Sequence, residues 1–135
     1  MNEGDDMATS VKQLIDAAND AVPRITPSQA QALMSQSGAL LVDVRDTLEI
    51  EASGMAQGAV QIPRGMLEFR ADPQSPYHDK KFDKAKPVIL YCASGGRSAL
   101  SGKTLKDLGY DHVFNLGAFK DWAESGASVE KLSRG

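Results

Sequence analysis

The chain holds one cysteine, Cys92, and its neighbours suit it to chemistry. It closes the apolar run Val88-Ile89-Leu90-Tyr91 and precedes Ala93-Ser94-Gly95-Gly96-Arg97-Ser98. Ala99 to Leu108 then reads as a helix. This order predicts a thiol where a buried strand gives way to a helix N-terminus. The first turn of a helix turns unpaired N–H groups and partial positive charge outward, which suits anions. In open α/β sheets, ligands also bind off the carboxyl ends of the strands. A thiol held there is biased toward thiolate, the nucleophilic form. A lone cysteine is more often a small buried hydrophobe, and Gly-Gly after a strand is more often a turn. A core cysteine, however, does not need two glycines and an arginine within one tight turn, so the nucleophile is the better reading.

One other motif looks chemical and is not. Ser101-Gly102-Lys103-Thr104 ends like a phosphate-binding loop, but that pattern needs a glycine where Arg97 stands. The Gly-Lys-Thr also falls inside the expected helix.

Composition narrows the partners. A chain of 135 residues makes one domain. Its 41% hydrophobic and 24% charged content is ordinary for a globular protein. The net charge of −3 gives no global pull toward nucleic acid or an anionic membrane, so any anion site is local. One cysteine excludes an internal disulfide and multi-cysteine metal sites, and no metal or cofactor is expected. The acidic, polar start is unlike a signal peptide, and no apolar run reaches spanning length, so a cytoplasmic location is expected.

The elements around Cys92 can be read in chain order. Residues 1–8 are expected to be disordered, and 9–22 to hold a helix. Ser10-Val11-Lys12-Gln13 fits a capping box, and Val11, Leu14, Ile15 and Ala18 fall on one helical face. Arg24-Ile25 reads as a short edge strand. Thr26-Pro27-Ser28-Gln29 is a second capping box with proline at the first helical position, and Gly38 is a plausible stop. Ala39 to Val44 is nearly all apolar, as in a strand covered on both faces. A short polar helix over Asp46 to Glu51 follows. Arg45 and Glu49, four residues apart, are expected to pair. Asp43, at the end of a central strand, is expected to accept N–H groups and brace the neighbouring loops. Arg64 follows another strand and is expected to help attract an anion. Residues 71–86 lack periodicity and read as a long loop. Val113-Phe114-Asn115-Leu116 is a last strand. Alternation of strands and helices predicts an α/β fold, with a mostly parallel central sheet and helices on both faces. The main domain is expected over 23–128, with a tail over 129–135.

Tyr91-Cys92-x-Ser94-Gly95-x-Arg97-Ser98 at the end of an apolar strand resembles the active-site loop of the rhodanese family of sulfurtransferases. Leu41-Val42-Asp43-Val44-Arg45 with Glu49, then Gly54 and Gly58 to Pro63, resemble a second signature of that family. Met55-Ala56 stands where His-Ile is usual. Gly117-Ala118-Phe119-Lys120-Asp121-Trp122 resembles the closing signature, with Ala118 where a second glycine is common. The resemblance covers roughly residues 24–128. It implies a single rhodanese-like domain in which the Cys92 thiolate takes sulfane sulfur from thiosulfate or a related donor. Cyanide or a thiol would then accept it. The N–H groups of Ala93, Ser94, Gly95, Gly96, Arg97 and Ser98 would stabilise the persulfide, with Arg97 holding the loop and attracting the anionic donor and Arg64 helping to attract it. Asp43, Arg45 and Glu49 would give structural support. A protein sulfur donor or acceptor fits as well, with no nucleic acid or membrane partner.

Two other readings compete. A persulfide carrier or regulatory module would use the same cysteine with little turnover of its own. Cysteine phosphatases and arsenate reductases resemble Cys-x5-Arg, whereas Cys92 and Arg97 enclose four residues.

Overall fold

The computed structural model describes residues 8–131. The expected disordered start therefore lies outside the described residues except for Ala8, as do residues 132–135 of the expected tail. Both predicted capping boxes form. In helix α1 (Val11–Ala21) the Gln13 N–H donates to Ser10 Oγ at 3.1 Å, and the Ser10 N–H donates to Gln13 Oε1 at 2.8 Å. Helix α2 (Pro27–Ser37) repeats this with Thr26 and Gln29, and it ends at Gly38, whose φ of 65° a side chain would resist.

Four parallel strands make the central sheet: β1 (Leu40–Asp43), β3 (Val60–Gln61), β4 (Val88–Cys92) and β5 (Val113–Ala118), in the order β3-β1-β4-β5. β4 is central and all five of its residues are buried, which is why it reads as an unbroken apolar run. Alternate side chains feed two cores. Val42, Val44, Leu90 and Cys92 face the end of α1, helix α4 (Leu67–Ala71) and helix α5 (Gly96–Asp107). Leu41, Ile89 and Tyr91 face α2 and helix α6 (Phe119–Glu124), with Trp122. The fold is thus α/β, with helices on both faces of a parallel sheet. Truncating Leu90 to alanine would cost about 2–5 kcal/mol, the usual range for a buried leucine.

Helix α3 (Thr47–Ser53) follows β1, with Asp46 as its N-cap. Strand β2 (Met55–Ala56) pairs antiparallel with β6 (Val129–Glu130), so those two residues of the expected tail are held by the domain. Among the described residues no helix is long and apolar enough to cross a membrane.

Three elements differ from expectation. Helix α5 starts at Gly96 rather than Ala99, because Gly95 adopts φ 104° and turns the chain into a helix at once. β5 runs to Ala118, and its pairing slips by one residue, so that Leu90 faces Asn115 while Tyr91 faces Gly117. The edge strand at Arg24-Ile25 is a single bridge, Arg24 to Asn115. Residues 71–86 hold no helix or strand beyond the last residue of α4, as their sequence suggests. Phe82 pins them against Tyr110, whereas Phe69 and Tyr77 pair on the surface.

Only the second half of α1 is packed. Val11 and Leu14 are 65% and 49% exposed, whereas Ala18 and Val22 are buried. The close approach comes from α5. A Cβ on Gly102 would stand 2.9 Å from both Val22 methyls, so only glycine lets that segment lie so near.

Candidate active site

Cys92 ends β4 with no exposed surface, and its sulfur sits at the start of α5. The Gly95 N–H donates to Cys92 Sγ at 3.0 Å, and the Ser98 N–H at 3.4 Å. These belong to the N-cap and third residue of the helix, two of the groups that a helix cannot satisfy internally. The Ser98 hydroxyl lies 3.4 Å from the sulfur. Burial pushes the Cys92 thiol up, but the Ser98 hydroxyl and the N–H groups of Ser98, Gly95 and Ser94 outweigh it and bring the thiol below its ordinary value. The thiol is thus poised toward thiolate in a dry site. Ala93 and Ser94 form the exposed lip of the loop, and Gly95 is buried.

Sequence reasoning named β5 but missed the part played by Asn115. This side chain is fully buried, and a buried amide needs partners. Its Oδ1 accepts from the Ser98 hydroxyl at 2.7 Å and from the Gly117 N–H at 2.9 Å. Its Nδ2 donates to the Gly95 carbonyl at 3.3 Å. The two residues whose N–H groups reach the sulfur are therefore both fixed by one side chain on the adjacent strand. The Ser98 hydroxyl has one proton for three acceptors, since the Gly95 carbonyl at 3.2 Å also lies in range. The available signal was a lone asparagine in an otherwise apolar strand.

The Arg97 guanidinium, expected to hold the loop and attract the donor, is turned to Glu49 instead. Its Nη1 and Nη2 donate to Glu49 Oε1 and Oε2 at 2.7 and 2.8 Å, a two-pronged pair joining α5 to α3. The Arg97 guanidinium holds the Glu49 carboxyl down to about 2. In turn Glu49, followed by the more distant charges of Cys92 and Asp46, raises Arg97.

The expected Arg45–Glu49 pair does not form. Helix α3 starts only at Thr47, so the four-residue helical spacing never applies to Arg45. Arg45 instead grips Asp43. Its Nη2 donates to Oδ2 at 2.8 Å, its Nε to Oδ1 at 3.1 Å and its own backbone N–H to Oδ1 at 2.9 Å. Further bonds reach Ser53 Oγ and the Gly54 carbonyl, both at 2.9 Å. The guanidinium lies 4.4 Å from the centre of the Phe119 ring. This buried, fully bonded pair locks the β1–α3 corner, which in turn positions Glu49. Asp43 thus accepts one backbone N–H group, and its main partner is the Arg45 guanidinium. Met55-Ala56 is anchored in part by the Ala56 N–H, which donates to the Tyr91 hydroxyl at 2.9 Å.

Arg64 is not brought to the loop. β3 is separated from β4 by β1, and the Arg64 guanidinium donates to Glu68 at 2.8 Å and to Thr104 at 3.1 Å. Thr104 lies about two turns along α5 from Arg97.

A different arginine lies against the loop. The Arg24 guanidinium covers Gly95 and Gly117: a Cβ on Gly95 would stand 3.3 Å from Arg24 Nη1, and one on Gly117 would collide with Nη2. Among the described residues, this guanidinium has no hydrogen-bond or ion-pair partner.

Residues 26–125 match the family model of the rhodanese-like domain. A protein of Allochromatium vinosum named sulfurtransferase is 34% identical over 103 residues, covering 76% of this chain and 88% of its own. A Rhodopseudomonas palustris structure of unknown function, described as a possible tyrosine phosphatase, superposes with a TM-score of 0.83 at 39% identity. That match covers 92% of this chain and 96% of the other. The polysulfide-sulfur transferase homodimer of Wolinella succinogenes gives a TM-score of 0.72 at 29% identity, covering 99% and 96%.

Proposed function

The chain belongs to the rhodanese-like domain family, and on that premise we propose that it is a sulfurtransferase whose Cys92 carries the sulfur. The observation behind this is the Cys92 sulfur itself, buried and met by N–H donors from Gly95 and Ser98. The thiolate attacks the outer sulfur of thiosulfate or a similar sulfane donor. A bond forms between Cys92 Sγ and that sulfur. The donor's own S–S bond breaks, and its electron pair leaves with sulfite. No proton moves, so the step needs no general acid. The product is a Cys92 persulfide anion. The N–H groups of Gly96 and Arg97, the first two of the helix and so without an intrahelical partner, would be available to its terminal sulfur. Cyanide or a thiolate then attacks that sulfur and returns the Cys92 thiolate, completing two-step covalent transfer.

The relatives named sulfurtransferase and polysulfide-sulfur transferase support sulfur transfer as the general chemistry. The phosphatase description of the Rhodopseudomonas neighbour favours a second reading. Three features weigh against it. The loop between Cys92 and Arg97 is one residue shorter than the phosphatase spacing, and the Arg97 guanidinium is spent on Glu49 instead of facing a bound phosphoryl group. Among the described residues, no carboxylate or imidazole is hydrogen-bonded to Cys92 as a leaving-group acid. A carrier loaded by a partner protein would share the persulfide and differ in turnover alone.

The deciding experiment sets two assays side by side. Thiocyanate formation from thiosulfate and cyanide, with no release of phosphate from an aryl phosphate, is the expected outcome. Phosphate release without thiocyanate formation would overturn the reading.

A further inference from the structure

Three of the arginines described above are already neutralised: Arg97 by Glu49, Arg45 by Asp43 and Arg64 by Glu68. The residues expected to meet an anionic donor at the loop are therefore committed elsewhere. Arg24 is not. It precedes the segment that matches the family model, residues 26–125. Its position is nevertheless fixed. The Asn115 N–H donates to the Pro23 carbonyl at 2.9 Å, and the Ile25 N–H donates to the Asn115 carbonyl at 3.1 Å. Arg24 is thus clamped on both sides by the same residue whose side chain holds Gly95 and Ser98. From there its side chain reaches over Gly95 and Gly117, in space that any residue larger than glycine at 117 would fill. The Gly95 N–H is itself a donor to Cys92 Sγ. Among the described residues this exposed guanidinium therefore has no partner for its donors, and it packs against the glycine whose N–H meets the reactive sulfur.

We propose that Arg24 is the donor-binding residue of this site, and that it takes the anionic end of the donor that is not transferred. For thiosulfate this end is the sulfonate. Two of its three oxygens can face a guanidinium fork, and the outer sulfur is then free to meet Cys92. This assignment rests on the sulfur-transfer reading and names the substrate class: small, multiply charged sulfane anions rather than neutral persulfides. An arginine at this place also discriminates before chemistry, because it raises the local concentration of anions in a chain that is acidic overall.

The test compares an anionic and an uncharged electrophile of nearly equal size on the same sulfur. Alkylation of Cys92 by iodoacetate and by iodoacetamide is timed in wild type, Arg24→Ala and Arg24→Lys, at a pH where the thiol is fully ionised. Loading of Cys92 from thiosulfate is timed in parallel. Arg24→Ala is expected to slow iodoacetate and thiosulfate about tenfold, the worth of one charged hydrogen-bonding pair. Iodoacetamide should be unaffected, and Arg24→Lys should recover part of the loss. Equal change with iodoacetate and iodoacetamide, or no change with either, would overturn the assignment. A wild-type protein that prefers iodoacetate through Arg24 yet takes no sulfur from thiosulfate supports the anion site, and only the sulfur-transfer reading then fails.

Discussion

Glu49 and Arg97 face each other across the gap between α3 and α5, oxygen to nitrogen twice, at 2.7 and 2.8 Å. Arg97 follows the Cys92 loop directly, and Glu49 stands at the third position of α3, where the Asp46 N–H donates to it at 3.3 Å. The pair therefore ties the loop's far end to the corner that Asp43 and Arg45 lock. On the proposed function Arg97 would act by positioning the loop, and its positive charge would favour the thiolate.

If the two residues act as one unit, removing either should cost what removing both costs. Glu49→Gln and Arg97→Ala are expected to lower kcat/KM for sulfur transfer about tenfold each, with the double variant no worse than the poorer single. Arg97→Lys should recover little, because an ammonium cannot match both oxygens. Multiplying losses in the double variant would show that the residues act separately.

The same pair has a definite pH signature. Glu49 ionises in the fold at about 2 against 4.5 outside it. A carboxylate with a depressed value stabilises the fold above its unfolded value, and loses that contribution as pH falls through the folded one. Both side chains are about one-third exposed, so screening holds the effect to about 1 kcal/mol. The stability gap between wild type and Glu49→Gln should be constant from pH 6 to 8 and close below 4.5, as chemical denaturation would show. A gap that persisted at pH 2 would contradict the ion-pair account.

Cys92 should titrate below its ordinary thiol value, because the Ser98 hydroxyl and the loop N–H groups outweigh burial. The rate of alkylation by uncharged iodoacetamide should rise with pH and level off at that lower value. Ser98→Ala removes the hydroxyl beside the sulfur and should move the midpoint upward. An unmoved midpoint would assign the lowered value to the backbone N–H groups alone.

Much of the fold is legible in the sequence because local rules agree with it. Ser10 and Thr26 cap their helices through Gln13 and Gln29, and the apolar runs 39–44 and 88–92 become the two central strands. The Cys92 loop is also legible, because strand end, glycines and helix start are contiguous. What stays hidden depends on contacts between distant segments. Glu49 meets Arg97 across 48 positions, and Asn115 meets Ser98 across 17, so no spacing rule reports either. Arg45 misled because helical spacing was applied to a residue before the helix. Arg64 misled because lying at a strand end says nothing of which strand separates it from Cys92. Arg24 looked like part of a minor edge strand, and only the slip in the β5 pairing and the glycines at 95 and 117 bring it to the loop.

The central claim is that Cys92 itself carries sulfur between donor and acceptor. The measurement that tests it most directly is the intact mass of the protein before thiosulfate, after it, and after a chase with cyanide. The account predicts a gain equal to one sulfur atom, lost completely on the chase and absent from a folded Cys92→Ser variant. A wild-type mass that does not change while thiocyanate accumulates, or a gain that persists in Cys92→Ser, would contradict it.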